Sequence, residues 1–141
     1  MDQHKFDPND RPTVHYVDDE ELAYLLLRSR QSHDFYHVVF NLPPTVLGEV
    51  ALKLVEMLEF KLGGAAFAAL GSGRIVLSEE ERREYKEVYV PWAVRGAKER
   101  RERGGGSLLA VEWEKEFTKD IDELRERLAI SPWEGKTGSC R

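Results

Sequence analysis

Residues 18–44 read DDEELAYLLLRSRQSHDFYHVVFNLPP, and this stretch decides the fold. Asp18 and Asp19 can cap a helix, and two glutamates follow in the first turn, where negative charge favours the helix dipole. The residues after them recur at intervals of three and four, which is α-helical spacing: Leu22, Leu26, Ser29, His33, His37 and Phe40. Pro43 and Pro44 end this helix, because a residue before proline avoids the α region.

Three further helical segments are predicted, and strand-like alternation is nearly absent. They run from about Thr45 to Gly63, from Ser78 to Pro91, and from about Leu109 to Leu128. Ser78 with Glu81 is a capping-box pattern, and Pro91 is expected to bend or end its helix. The stretch Ala65 to Leu77 favours a short buried helix and a loop, and KERRER at 98–103 favours an exposed helix end.

We therefore predict an all-α fold, a helical single domain with antiparallel helices joined by short Pro/Gly loops. The domain is expected to span residues 14–130, between an extended arm at 1–13 and a flexible tail at 131–141. A length of 141 residues suits one domain.

The charge balance and the single cysteine exclude several classes of function. There are 26 Asp and Glu residues against 21 Lys and Arg, a net charge of −5, so nucleic-acid binding is not expected. One cysteine excludes a disulfide framework and a Cys-rich metal site. No run of 18 apolar residues is present, and the polar first residues fit neither a signal sequence nor a transit peptide.

One constellation combines residue types and spacing that suit a metal ion: His33, Asp34 and His37, followed after eleven residues by Glu49. Histidines four apart share one helical face, so both imidazoles can reach one cation. Asp34 lies about 100° round the helix from His33, and the two prolines let the second helix return Glu49 to the histidines. Two imidazoles and two carboxylates suit Zn²⁺, and Fe²⁺, Mn²⁺ or Co²⁺ as well.

Two other interpretations of the same residues stay open. The histidines continue an apolar ridge, so they could be buried and simply hydrogen-bonded to Asp34 and Glu49. The pattern is also similar to the HExxH of zinc peptidases, with Asp34 in place of the glutamate that acts as general base. Four ionisable groups directed at one place without a cation would be costly, which favours the metal site.

The stretch RPTVHYVDDEELAYLLLRSRQSHDFYH, residues 11–37, resembles the ubiquinone (coenzyme Q) biosynthesis family, whose hallmark is HDxxH, eleven residues and a glutamate. The similarity continues through VLGEVA at 46–51, VPWA at 90–93 and KDIDELR at 119–125. Ser29 and Ala129 depart from the family pattern. The chain looks like a member that lacks the family's N-terminal part, including its targeting sequence.

The resemblance implies an activity and a setting. The activity is metal-dependent C1-decarboxylation of a 4-hydroxy-3-methoxy-5-polyprenylbenzoate, with or without coupled hydroxylation, and His33, Asp34, His37 and Glu49 are its metal and catalytic residues. The alternative is a non-catalytic polyprenyl-lipid-binding scaffold. The implied partners are the lipid substrate, the other enzymes of a ubiquinone-synthesis complex, and a further copy of this chain. The implied location is the matrix side of the mitochondrial inner membrane, as a peripheral protein.

Three minor expectations concern substrate contacts and the proton donor. A polyprenyl tail needs an apolar groove. The candidates for its lining, most of which are expected to be plain core, are Leu25, Leu47, Val50, Leu54, Phe67 and Leu70. Lys53 is a candidate to meet a substrate carboxylate, or else a lysine of the helix surface. Tyr36 is the nearest candidate proton donor.

Overall fold

The computed structural model describes residues 17–60 and 76–135, and every regular element in these ranges is a helix. The all-α prediction is confirmed. The elements are α1 (Glu20–Phe40), α2 (Val46–Phe60), α3 (Glu79–Glu84), a π-helical turn (Tyr85–Tyr89), α4 (Val90–Glu102), two 3-10 turns (Leu108–Ala110 and Trp113–Lys115) and α5 (Ile121–Arg127). None of the helices in these ranges has the length and apolar character needed to cross a bilayer. The predictions for the arm at 1–13, the helix end at Gly63 and residues 65–75 lie outside the described residues.

Helix α1 begins and ends where its sequence predicts. The Asp19 carboxylate accepts a hydrogen bond from the backbone N–H of Leu22 at 2.9 Å, which caps the first turn. At the other end, Asn41 adopts the left-handed conformation with φ 54°, and the Leu42 N–H donates to the His37 carbonyl at 2.9 Å. These two caps fix the position of the histidine turn, because it lies within the last two turns of the helix.

The core is centred on α2, which packs most extensively against α4. Ala51 and Leu52 are completely buried, and the side chains of Leu47, Val50, Leu54 and Val55 are nearly so. Aromatic rings close the core around them. Trp113 stacks on Phe35 with ring centroids 5.7 Å apart and meets Tyr36 edge-on at 5.6 Å. These contacts hold α1 against the segment that precedes α5.

Pro91 does not end its helix, so that half of the expectation was wrong, and a bend at this point stays a prediction. The capping box of Ser78 and Glu81 starts α3 as predicted. The chain then widens into the π-helical turn, where the Val90 N–H donates to the Tyr85 carbonyl, five residues back. Pro91 follows directly after this turn, as the second residue of α4. The expected exposed end at 98–103 is also only partly right, because the Arg100 side chain is buried.

The C-terminal region differs most from the prediction. Instead of one helix from Leu109 to Leu128, the chain forms two 3-10 turns and a short α5 that Asp120 caps. Leu108 and Trp113 are buried, whereas Phe117 is exposed. Residues 131–133, at the start of the expected tail, pack on the helices: the Trp133 N–H donates to the Phe40 carbonyl at 2.8 Å, and its ring stacks on Tyr89.

Candidate metal centre

Two histidines of α1 and one glutamate of α2 meet at a single point. His33 and His37 lie one turn apart with ring centroids 5.1 Å apart. Glu49 lies in the first turn of α2, and the tight connection at 41–45 brings it to both rings. Its Oε1 is 2.9 Å from Nε2 of His37, and its Oε2 is 3.1 Å from Nε2 of His33. One donor atom from each of the three residues lies within 4.8 Å of the other two.

The partners of the two Nδ1 atoms decide how the rings present their other nitrogen. His37 Nδ1 is 3.1 Å from the Leu42 carbonyl, which can only accept, so this nitrogen carries the proton. His33 Nδ1 is 2.8 Å from a carboxylate oxygen of Glu56, which also accepts. In a neutral ring the other nitrogen then has a lone pair. Both Nε2 lone pairs therefore face the carboxylate of Glu49.

This arrangement suits a divalent cation. The Nε2 atom of His37 is buried and makes no hydrogen bond, although a carboxylate oxygen is 2.9 Å away. The two imidazole lone pairs and the negatively charged Glu49 carboxylate repel one another unless a positive charge lies between them. Imidazoles with Nδ1 held by a carbonyl or a carboxylate are the usual form of a metal-ligating histidine. The three residues fit a metal ion on these grounds.

The ionisation of the groups around His33 is set by Glu56 and Lys53. The hydrogen bond to Glu56 raises the pKa of His33, while burial of the ring acts in the opposite direction. Burial acts to raise the pKa of Glu56, but the hydrogen bonds from His33 and Lys53 outweigh it, so the pKa is lowered. Glu56 is therefore a carboxylate at neutral pH, although its side chain is only 6% exposed.

The structure brings together three of the four predicted ligands. His33, His37 and Glu49 form the cluster, and Asp34 does not belong to that group of converging donor atoms. A metal role for Asp34 stays a prediction. Tyr36 is buried, and burial raises the pKa of its hydroxyl to about 12, so it is poorly suited to donate a proton to a substrate.

Sequence reasoning missed Glu56, the carboxylate that holds His33. The spacing could have indicated this residue, because Glu56 is seven residues after Glu49 and so lies on the same face of α2, two turns further along. It was overlooked among the apolar residues of that helix. Lys53, predicted to meet a substrate or lie on the helix surface, has its Nζ 2.7 Å from the other oxygen of Glu56.

The predicted tail groove is mostly core. Leu47, Val50 and Leu54 are buried, Leu25 is partly exposed, and Phe67 and Leu70 lie outside the described residues. A different apolar groove of about 350 Å³ lies between the side of α1 away from the histidines and the C-terminal region. Its apolar lining includes Phe35, Val38, Trp113, Phe117, Ile121 and Leu124.

Comparisons with known proteins relate this site to one family. Residues 1–134 match the family model described as "Coenzyme Q (ubiquinone) biosynthesis protein Coq4". No solved structure gives a significant match.

Curated relatives agree with the family match. A mitochondrial ubiquinone biosynthesis protein COQ4 of Paracoccidioides brasiliensis is 42% identical over 130 residues, and a mitochondrial COQ4 homolog of Aedes aegypti is 40% identical over 134. Both alignments cover 92% of this chain but only 43% and 45% of those proteins. The chain thus spans less than half the length of the curated relatives it matches. It belongs to the Coq4 family of coenzyme Q (ubiquinone) biosynthesis proteins.

Proposed function

We propose that this protein acts in ubiquinone biosynthesis as a metal-dependent carboxy-lyase. It removes the C1 carboxyl group of a 4-hydroxy-3-methoxy-5-polyprenylbenzoate. The observation that carries the proposal is the convergence of the two Nε2 atoms and the Glu49 carboxylate, each held by the fold. Family membership and the names of the relatives, all ubiquinone biosynthesis proteins, support the pathway.

The chain's own donors define the proposed metal site. His33, His37 and Glu49 would hold a divalent cation, which would supply a Lewis acid for the substrate carboxylate or phenolate and so stabilise the charge that changes during the reaction. Zn²⁺ is the first choice for this donor set, and Fe²⁺, Mn²⁺ and Co²⁺ accept the same ligands. Asp34 remains in the proposed site as a catalytic group, because it adjoins His33 on α1, and its role as a ligand stays a prediction.

The exposure of Glu49 supports a catalytic rather than a structural site. Three protein donors leave a coordination position open, as in catalytic zinc sites, whereas structural sites close with four. The Glu49 side chain is 46% exposed, while His33 and His37 are mostly buried, so the open side of the cluster faces solvent. A substrate can approach from that side.

The proposed reaction must account for the electron pair of the C1–carboxyl bond and for the proton that replaces the carboxyl group. The para hydroxyl donates electrons to C1, which takes up a proton; the C1–carboxyl bond then breaks, and its electron pair restores the aromatic ring as CO₂ leaves. Coupled hydroxylation instead leaves a hydroxyl group on C1 and uses O₂ as the two-electron oxidant, which is reduced to H₂O₂. Because Tyr36 is buried with a pKa of about 12, we assign the proton to solvent on the Glu49 side of the site.

The proposed setting is the matrix side of the mitochondrial inner membrane, where the protein is peripheral and works with other ubiquinone-synthesis enzymes. The relatives are named as mitochondrial proteins, which supports the organelle. Self-association belongs to the same proposal.

The groove between α1 and the C-terminal region favours a second candidate function, a non-catalytic scaffold that holds polyprenyl lipid and organises the other enzymes. Its apolar lining and its volume of about 350 Å³ suit part of an isoprenoid chain. The exposed ring of Phe117 stands at this groove, where apolar surface is otherwise costly.

An isotope label on the carboxyl carbon distinguishes the carboxy-lyase from the scaffold. The purified protein, loaded with Zn²⁺ or Fe²⁺, is given substrate labelled with ¹³C in the carboxyl group, and labelled CO₂ is measured. We expect release by the wild type, loss in His37→Ala, and wild-type release by Glu102→Gln, an exposed carboxylate on α4. A His37→Ala protein that binds no metal yet restores ubiquinone in cells would establish the scaffold instead.

A further inference from the structure

A buried carboxylate outside the predicted motif touches the candidate metal centre. Glu56 lies in the third turn of α2, and its side chain is only 6% exposed. One of its oxygens is 2.8 Å from Nδ1 of His33, and the other is 2.7 Å from Nζ of Lys53. Burial of an ion is expensive, so a carboxylate in this position needs both partners.

We propose that Glu56 is the positioning residue of His33: it holds the proton on Nδ1 and thereby turns the lone pair of Nε2 toward the cation site. The inference rests on the proposed metal function, because a defined lone pair on Nε2 matters only where a cation binds.

The need for such a residue follows from the two carboxylates on either side of the ring. Glu49 lies 3.1 Å from Nε2 of His33, and Glu56 lies 2.8 Å from Nδ1. A neutral imidazole has one N–H, so only one carboxylate can receive it. If Glu49 received it, Nε2 would lose its lone pair and the centre would lose a ligand.

Distance and burial decide this competition in favour of Glu56. Its contact with the ring is the shorter one, and its oxygens are shielded from water, which strengthens a charge-assisted hydrogen bond. The Glu49 side chain is 46% exposed, so water competes for its oxygens. The proton therefore resides on Nδ1.

Lys53 stabilises the contact between Glu56 and His33. Its ammonium group binds the second oxygen of Glu56, which compensates the buried charge and fixes the plane of the carboxylate. His37 needs no such pair, because the Leu42 carbonyl holds its Nδ1 through the backbone. A side chain thus orients one ligand and the main chain orients the other.

The first test reads the position of the proton directly in the metal-free protein, at a pH above the raised pKa of His33, where its ring is neutral and carries one N–H. Two-dimensional ¹H–¹⁵N spectra that correlate ring nitrogens with ring carbon-bound protons distinguish the two tautomers. We expect the wild type to show His33 protonated on Nδ1, and Glu56→Leu to show it protonated on Nε2. His37 serves as the internal control and keeps its proton on Nδ1 in both. A wild-type His33 protonated on Nε2, or a His33 tautomer unchanged by Glu56→Leu, overturns the inference.

The second test measures metal affinity rather than activity. Zn²⁺ is titrated into the wild type and into Glu56→Leu, whose side chain has a similar size but cannot accept the Nδ1–H of His33, in competition with a chromogenic chelator. Loss of a carboxylate behind a ligating histidine typically costs 10–100-fold in affinity, and we expect a loss in this range. The matched control is Glu59→Leu, which removes a mostly buried carboxylate on the same helix that pairs with Arg100 instead, and it keeps wild-type affinity.

The two tests separate the inference from the proposed function. If the wild type binds Zn²⁺ and Glu56→Leu binds it equally well, the positioning role is wrong and the metal centre stands. If the wild type binds none of the candidate metals, the proposed function is wrong, and the tautomer spectra alone decide whether Glu56 orients His33.

Discussion

A metal ion bound by His33, His37 and Glu49 would link α1 to α2, so we expect its binding to raise the stability of the fold. The donors come from two helices and meet only when the connection at 41–45 is folded. A ligand bound by the folded state alone stabilises by about 2.7 kcal/mol when present at about 100 times its dissociation constant. For 141 residues, an unfolding entropy of about 2.1 cal/mol/K per residue converts this free energy into a rise of about 9 °C in Tm.

Replacing Glu49 by Gln should remove most of that rise. The substitution keeps the shape of the side chain but removes the charged donor that faces both Nε2 atoms. Because the Glu49 side chain is 46% exposed, the change itself should cost no more than about 0.5 kcal/mol in the presence of a chelator. We therefore expect wild type and Glu49→Gln to have Tm values within about 2 °C in chelator and to diverge when Zn²⁺ is added.

The assay is differential scanning calorimetry of chelated and Zn²⁺-loaded protein, with Glu102→Gln as a control for the loss of one exposed carboxylate. That control should keep the full rise. A Glu49→Gln protein that retains the full rise shows that Zn²⁺ binds elsewhere. A wild type whose Tm does not respond to saturating Zn²⁺ refutes the reasoning from the cluster altogether.

Two further predictions concern the frame of the site. A Cβ on Gly48 would meet the Pro43 carbonyl oxygen, so Gly48→Ala should lower the free energy of unfolding in urea by about 1–3 kcal/mol. Gly96 in α4 has open space around it, so Gly96→Ala should raise that free energy by about 0.4–1 kcal/mol. Equal effects of the two substitutions would contradict the packing argument. The hydrogen bond from Arg28 lowers the pKa of Glu114 from 4.5 to about 2, so this pair contributes stability above pH 4.5 and loses it as the pH falls toward 2. Glu114→Gln should therefore be less stable than wild type at pH 7 and match it near pH 2, and a constant difference would contradict this.

The parts of the fold that the sequence predicted well are those fixed by local chemistry. The start of α1 depends on the Asp19 carboxylate and the backbone three residues on, and its end depends on Asn41 and the prolines that follow. The same holds for Ser78 and Glu81, which satisfy each other's backbone donors. Such contacts span three or four residues, so a single sequence contains all the information they need.

The parts that were mispredicted depend on features that the local sequence pattern does not contain. Pro91 lies inside a continuous helical segment, just after a π-helical turn that no local rule predicts. Arg100 is buried because Glu59 of α2 and the Gly106 carbonyl receive its guanidinium. A run of charged residues at a helix end otherwise indicates a solvent-exposed segment. For Arg100 the deciding carboxylate lies on another helix, far along the chain.

The same distinction between local and distant determinants applies to the candidate site. The spacing of His33 and His37 and the position of Glu49 were enough to predict which residues supply donor atoms, because helical periodicity and a tight turn bring them together. The protons on those donors depend on other groups: the carbonyl of Leu42 for one ring and the carboxylate of Glu56 for the other. Asp34 was predicted as a ligand only from its position about 100° round the helix from His33. That position does not require its carboxylate to join the other donors.

The motif by itself is therefore an incomplete description of the centre. A peptide with the sequence of α1 would present two imidazoles, but each ring could protonate either nitrogen and rotate freely. In the folded chain the turn after α1 fixes His37 and the third turn of α2 fixes His33, so orientation is supplied by segments that contain no metal ligand. Glu49 lies between these two supports on the chain, and any change that moves α2 relative to α1 disturbs a donor and both orienting groups at once. This coupling explains why a glycine at 48, which lets α2 approach Pro43 closely, belongs to the site as much as the residue beside it.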